Sequence, residues 1–267
     1  MIRHHTTAAY RIVCLTSALS LAPVASFAQA TAERLADKDV KALIEQVDEG
    51  RDKFEGNLDG AFKGSTIRNA NGETKVSGAL QDYQDSTQKL KERFTSDYSA
   101  SAEAAVVLKQ SSAIDAFMQR QPLTMKGRSE WDRQAANMKR LAAVYGTSFP
   151  LDAGATVRRM NDKETATTAA AIASAADRFK SDLDKNAGLA KPDKDAAKKE
   201  AELVGKQAEV VKSRVSDGKP ATSEMRQLVG QIGKLQAFAA GHSITSTNWQ
   251  SVQASLVKLQ QAFGLTP

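Results

Sequence analysis

The side chains able to do nucleophilic, acid–base or metal chemistry are few, and most lie at one end of the chain. Cys14 is the one cysteine, and His4, His5 and His242 are the three histidines. A hydroxyl nucleophile needs a base within reach, usually histidine, and a zinc site needs about three protein ligands. His242 follows Gly241 in a turn before the last expected helix and has no partner motif, so it reads as an exposed turn residue. The sequence contains no glycine-rich phosphate loop and no Cys-x-x-Cys-His haem attachment. One segment, Asp182 to Asp193, approaches a calcium loop, with oxygen ligands at Asp182, Asp184 and Asn186. Its glycine, Gly188, falls one place late, and Asp193 stands where a bidentate glutamate belongs, so it reads as a polar helix end capped by Gly188. Asp59, Asp82, Asp85, Glu103 and Asp115 would serve a metal-dependent enzyme only from a bundle interior, and helical spacing places most of them on outward or boundary faces. The expectation is a protein that is not an enzyme, with no catalytic residue, no cofactor and no metal.

The N-terminus explains where the remaining handles go. Arg3 and Arg11 precede an uncharged stretch from Ile12 to Ala30, broken by Pro23, in the order of a secretory signal. Val24-Ala25-Ser26-Phe27-Ala28 places small residues where a signal peptidase reads, so residues 1–28 are expected to be a cleaved signal peptide. Cleavage after Ala30 is the alternative. Cys14 opens the apolar segment instead of marking the cleavage site, which excludes a lipobox. Cleavage would remove the cysteine and two of the three histidines, and loss of Arg3 and Arg11 would lower the formal charge from +6 to +4. Charges of both signs are interleaved thereafter, which describes a mildly basic surface and no nucleic-acid footprint. No later segment is long and apolar enough to span a membrane. The expected location is periplasmic or secreted.

Apolar residues beyond the signal recur at helical spacing. Val40, Leu43, Ile44, Val47, Phe54, Leu58 and Phe62 make one stripe; Val76, Leu80, Tyr83, Leu90 and Phe94 a second; Val107, Ile114 and Phe117 a third; Trp131, Met138, Leu141 and Tyr145 a fourth. Four more follow: Ile172, Phe179 and Leu183; Val204, Val211 and Val215; Leu228, Ile232, Leu235 and Phe238; Trp249, Val252, Leu256, Leu259 and Phe263. Breakers fall between the stripes, at Gly64 to Gly72, Pro122, Lys191-Pro192 and Lys219-Pro220, with a helix stop from Gly146 through Pro150 to Gly154. No run alternates with period two over a useful length, so essentially no sheet is expected.

The two sets of stripes are related. Asp52-Lys-Phe-Glu-Gly-Asn-Leu-Asp59 recurs as Asp177-Arg-Phe-Lys-Ser-Asp-Leu-Asp184, displaced by 125 positions. Leu90 to Phe94 recurs as Val211 to Val215, displaced by 121, and Trp131 to Gly146 as Trp249 to Gly264, displaced by 118. Collinear order with small length changes between helices is the mark of a repeat. The expected fold class is all-α: two tandem up-down-up-down four-helix bundles related by internal duplication, over 36–146 and 161–267, joined by a linker at 147–160. The expected core markers are Phe54, Leu58, Phe117, Trp131 and Tyr145, then Phe179, Leu183, Phe238, Trp249 and Phe263. Alanines at Ala197, Ala201 and Ala208 bury less area, so the second bundle is expected to open more easily.

Asp52 to Asp59, Leu90-Lys-Glu-Arg-Phe94, Ile114-Asp-Ala-Phe-Met118, Trp131 and Leu141-Ala-Ala-Val-Tyr145 together resemble an uncharacterised family of exported helical proteins found in several bacterial phyla. The resemblance covers residues 40 to 150, with the second half similar to a diverged copy, and departs at Arg68 to Thr74, where the family is usually richer in charge. It implies export and helicity and carries no activity. The functional expectation is an envelope scaffold or binding module for a protein or cell-wall partner, with a small-ligand or lipid-binding bundle as the alternative.

Overall fold

The computed structural model describes residues 33–69 and 72–265. The expected signal peptide, with Cys14, His4, His5 and both cleavage positions, lies outside the described residues. Among those residues the chain is mostly helical, with nine helices and one two-stranded sheet. No described helix is long and apolar enough to cross a membrane.

α1 (Asp37–Asn57) buries Val40, Leu43, Ile44, Val47 and Phe54 at the three-and-four spacing of its stripe, and Asp37 and Asp39 complement its N-terminal dipole. It does not carry the stripe on to Phe62. Leu58 turns extended, and Asp59 accepts a hydrogen bond from the Ala61 N–H, capping a separate short helix, α2 (Gly60–Lys63), on which Phe62 is only half-buried.

One short hairpin is the exception in a chain expected to have essentially no sheet. β1 (Thr66–Asn69) and β2 (Gly72–Lys75) pair antiparallel, with Ile67 opposite Thr74. Strands of four residues are too short for alternation to be legible. The hairpin nonetheless puts Ile67 into the core, where it is buried, and β1 lies against α4 (Ser101–Met118).

α3 (Val76–Arg93), α4, α5 (Arg128–Val144) and α1 surround a first hydrophobic core, each packed on two of the others. Gly127 caps α5 with φ +90°, a conformation that favours glycine, and a Cβ there would sit tightly, 3.3 Å from the Leu58 Cα. A second core lies among α6 (Asp162–Lys185), α7 (Lys191–Ser216), α8 (Thr222–Gly241) and α9 (Thr247–Ala262). α6 is its centre, closely paired with α7 and with α9, while α8 lies on α7. Lys191-Pro192 is not the gap the sequence suggests but the first turn of α7, where the missing proline N–H has no intrahelical partner to lose.

The stretch between Val144 and Asp162 is held against the first core. Phe149 is buried there, the Leu151 N–H donates to Ser112 Oγ at 2.8 Å, and the Arg158 N–H donates to the Tyr145 carbonyl at 3.0 Å.

Candidate functional site

Nine of the ten core markers are buried; Phe238 is the correction, half-buried and stacked on the His242 ring at 4.3 Å, while the next residue, Ala239, is buried. Phe54 meets Trp131 at a ring-centroid distance of 5.0 Å, and Phe179 meets Trp249 at 5.4 Å, so both tryptophans are core residues. His242 caps α8, with Nδ1 3.0 Å from the Phe238 carbonyl.

The calcium-like segment is dispersed by its local structure. Asp182 lies within α6 and accepts hydrogen bonds from Ser246 Oγ and Asn248 Nδ2, which hold its carboxyl below the usual range against the opposing effect of burial. Asp184 pairs with Lys198. Asn186, not Gly188, is the C-cap of α6, and it accepts from the Gly188 N–H. Among the described residues no group of three His, Cys, Asp or Glu side chains is placed to hold a metal. Of the five carboxylates expected mostly on outward or boundary faces, Asp115 is buried, and its Oδ1 accepts the Trp131 indole N–H at 2.8 Å.

What the structure does assemble is a junction between the two cores. The N-termini of α1 and α6 face each other. The Asp37 N–H donates to Asp162 Oδ2 and the Asp162 N–H to Asp37 Oδ2, each at 2.9 Å. Each helix start is thereby capped by the carboxylate of the other. Arg34 Nη1 donates to Asp162 Oδ1 at 2.6 Å and Nη2 to the Met160 carbonyl at 3.0 Å. In return, Arg159 Nη1 forms an ion pair with Asp37 Oδ1 at 2.5 Å and its Nη2 donates to the Leu35 carbonyl at 2.9 Å. The exchange is reciprocal, as at a two-fold interface. Both guanidinium groups are withdrawn from water, with side-chain exposures of 7% for Arg34 and 4% for Arg159. Burial, and next the neighbouring Arg159 charge, push the Arg34 guanidinium below the ordinary arginine range against the pull of Asp162 and Asp37.

Beside this network a cavity of about 410 Å³ opens between the cores. The C-terminal end of α5 contributes Arg140, Ala143 and Val144; the end of α9 contributes Phe263 and Gly264; the segments entering α1 and α6 contribute Glu33 to Leu35 and Arg158 to Met160. Gly146 and Gly264 terminate α5 and α9 with φ +68° and +61°, a conformation that turns each chain sharply at the cavity wall. Arg34 also lies 5.7 Å from the centroid of the Phe263 ring, closing one side. The pocket is thus part guanidinium and part hydrocarbon.

Sequence reasoning passed over Arg34 and Arg159. A signal was present: Arg34-Leu-Ala-Asp37 and Arg159-Met-Asn-Asp162 share the pattern Arg-x-x-Asp at the same displacement of 125 that relates Phe54 to Phe179. Their meeting could not be read from it, because the partner of each arginine is the aspartate of the other Arg-x-x-Asp segment. No family model, curated protein or solved structure matches this chain.

Proposed function

We propose that this chain is a non-enzymatic binding protein of the cell envelope, exported by residues 1–28, periplasmic or secreted, and that its site is the cavity at the junction. The observation that carries the reading is that cavity, whose volume of about 410 Å³ falls in the range typical of small-molecule sites, roughly 300–1,000 Å³. Of the two readings open from the sequence, a scaffold for a protein or cell-wall partner and a small-ligand binder, the cavity favours the second. The ligand space lies between the cores and not within either bundle.

Internal duplication into two up-down-up-down four-helix units accounts for how such a site arises. The matched Phe–Trp pairs and the reciprocal Arg-x-x-Asp contacts support it. Fusing two copies face to face creates a junction that neither copy has alone.

Two measurements on protein recovered from the envelope fraction of its host test this. N-terminal sequencing is expected to begin at Gln29 or Thr31. Native mass spectrometry is expected to show a retained small molecule that Ala143→Phe, which fills the cavity wall, releases. An intact N-terminus counts against export, and the same bare mass in both proteins counts against the site.

A further inference from the structure

The geometry points to the junction cavity as a receptor for a small amphipathic monoanion, a carboxylate carried on a short apolar body. This rests on the binding function proposed above and names its ligand class.

The charge at the cavity sets the valence. Arg34, Arg140, Arg158 and Arg159 line it together with Glu33, and Asp37 and Asp162 neutralise the two buried arginines from behind. Four guanidinium groups against three carboxylates leave one positive charge in excess. One anionic charge completes the set; a dianion would leave a net negative charge in a recess that is partly hydrocarbon.

Arg158 is the group free to receive that charge. Its N–H is fixed on the Tyr145 carbonyl, while its side chain is exposed and, among the described residues, forms no ion pair. Arg140, which lines the cavity from α5, donates to the neutral Gln46 Oε1 at 3.1 Å and, among the described residues, forms no ion pair. A planar guanidinium binds a carboxylate through two parallel hydrogen bonds. An anion between Arg158 and the buried pair would also offset the like-charge repulsion that Arg34 and Arg159 exert on each other.

The remaining walls select the body of the ligand. Leu35, Val144, Met160 and Phe263 offer carbon to whatever follows the carboxylate. A sugar or a free inorganic anion would leave these surfaces uncovered, whereas an aliphatic chain or a ring buries against them.

Isothermal titration of the full exported chain with octanoate, 1-octanol and inorganic phosphate separates these contributions. Octanoate is expected to bind, octanol about tenfold more weakly, and phosphate most weakly of the three, the tenfold step being that of one charge-assisted hydrogen bond. Arg158→Gln should weaken octanoate about tenfold and leave octanol unchanged. Ala143→Phe, at an exposed position on α5, should abolish both with the melting temperature unaltered. The inference is overturned if octanoate does not bind, if octanol matches it, if Arg158→Gln leaves its affinity intact, or if phosphate binds more tightly. Octanol or phosphate binding that Ala143→Phe removes, without a preference for octanoate, would sink the ligand class while leaving the binding function standing. A bare mass for the envelope-derived protein would sink the function itself.

Discussion

At displacements of 125, 121 and 118 positions, the first core holds Arg51, Tyr83 and Gln134 where the second holds Ala176, Val204 and Val252, and all six residues are buried. The first set is a polar network. Gln134 Nε2 donates to the Val47 carbonyl at 2.8 Å and to the Tyr83 hydroxyl at 2.6 Å. Arg51, only 2% exposed, reaches Asp48 at 2.9 Å and Asp52 at 2.7 Å. Burial would raise the Asp48 carboxyl, but hydrogen bonds from Arg51 and Lys91 outweigh it and hold it below the usual range. Burial likewise pushes the Tyr83 phenol up, so it stays a neutral hydrogen-bonding group. The second set is small and apolar, and alanines of α6 and α7 are buried along the pairing of those two helices, the most extensive among the described elements. The same aromatic pair thus sits in two different fillings. One core fixes its arrangement through directional bonds that are costly to leave unmade; the other relies on close packing of small side chains.

The largest test of that difference is at the tryptophans. Trp131→Ala and Trp249→Ala should each cost about 3–5 kcal/mol in denaturant unfolding. Replacement by phenylalanine should separate them, because only Trp131→Phe leaves the buried Asp115 without its indole donor, a further loss of about 1–3 kcal/mol. Equal losses for the two phenylalanine variants would show that the indole bond adds nothing to the first core.

Next in size is the contact between Gly50 and Gln134. A Cβ at Gly50 would fall 2.1 Å from Gln134 Oε1, whereas the matched pair in the second core is Ala175 with Val252. Gly50→Ala is expected to destabilise by about 1–3 kcal/mol by displacing the amide and breaking its bonds. Adding Gln134→Val, which copies the second core, should make the double variant less destabilised than the sum of the two singles. Simple additivity in a double-mutant cycle would disprove this coupling.

The smallest expected effect lies at the start of α9, where Ser246 Oγ accepts from the Asn248 and Trp249 N–H groups and donates to Asp182. Ser246→Ala should cost about 1 kcal/mol. The pH dependence follows from the lowered Asp182 pKa in the folded chain. Its stabilisation is fully present above the ordinary carboxylate range and is lost as the pH falls through the folded value, so the gap between the wild type and Asp182→Asn should close in acid. A gap that persists unchanged at low pH would assign the effect to packing. Hydrogen exchange offers a last comparison: α8, packed chiefly on α7, is expected to open before α1 and α5.

The sequence was most legible where periodicity and burial agree. Stripes such as Val40 to Phe54 or Val204 to Val215 located the long helices, because a helix must turn its apolar side inward. It was least legible where a local competitor intervened. Asp59 starts a new helix before Phe62, and four-residue strands carry too few alternations to distinguish a hairpin from a loop. Ile67, a core residue, was hidden there for that reason. Phe238, in the last turn of α8, is half-buried at the margin of the second core and stacks on His242.

The sequence by itself determined that the chain is built mostly from amphipathic helices and where their apolar stripes lie. Each of these is a property of spacing along one chain. Tertiary structure alone decided that the two helix starts face each other, that Arg34 serves Asp162 while Arg159 serves Asp37, and that a cavity opens beside them. Those contacts join residues separated by 122 to 128 positions, and each depends on the angle at which helices meet. No periodicity encodes that angle; it is set by the packing of the two cores and the chain pinned between them.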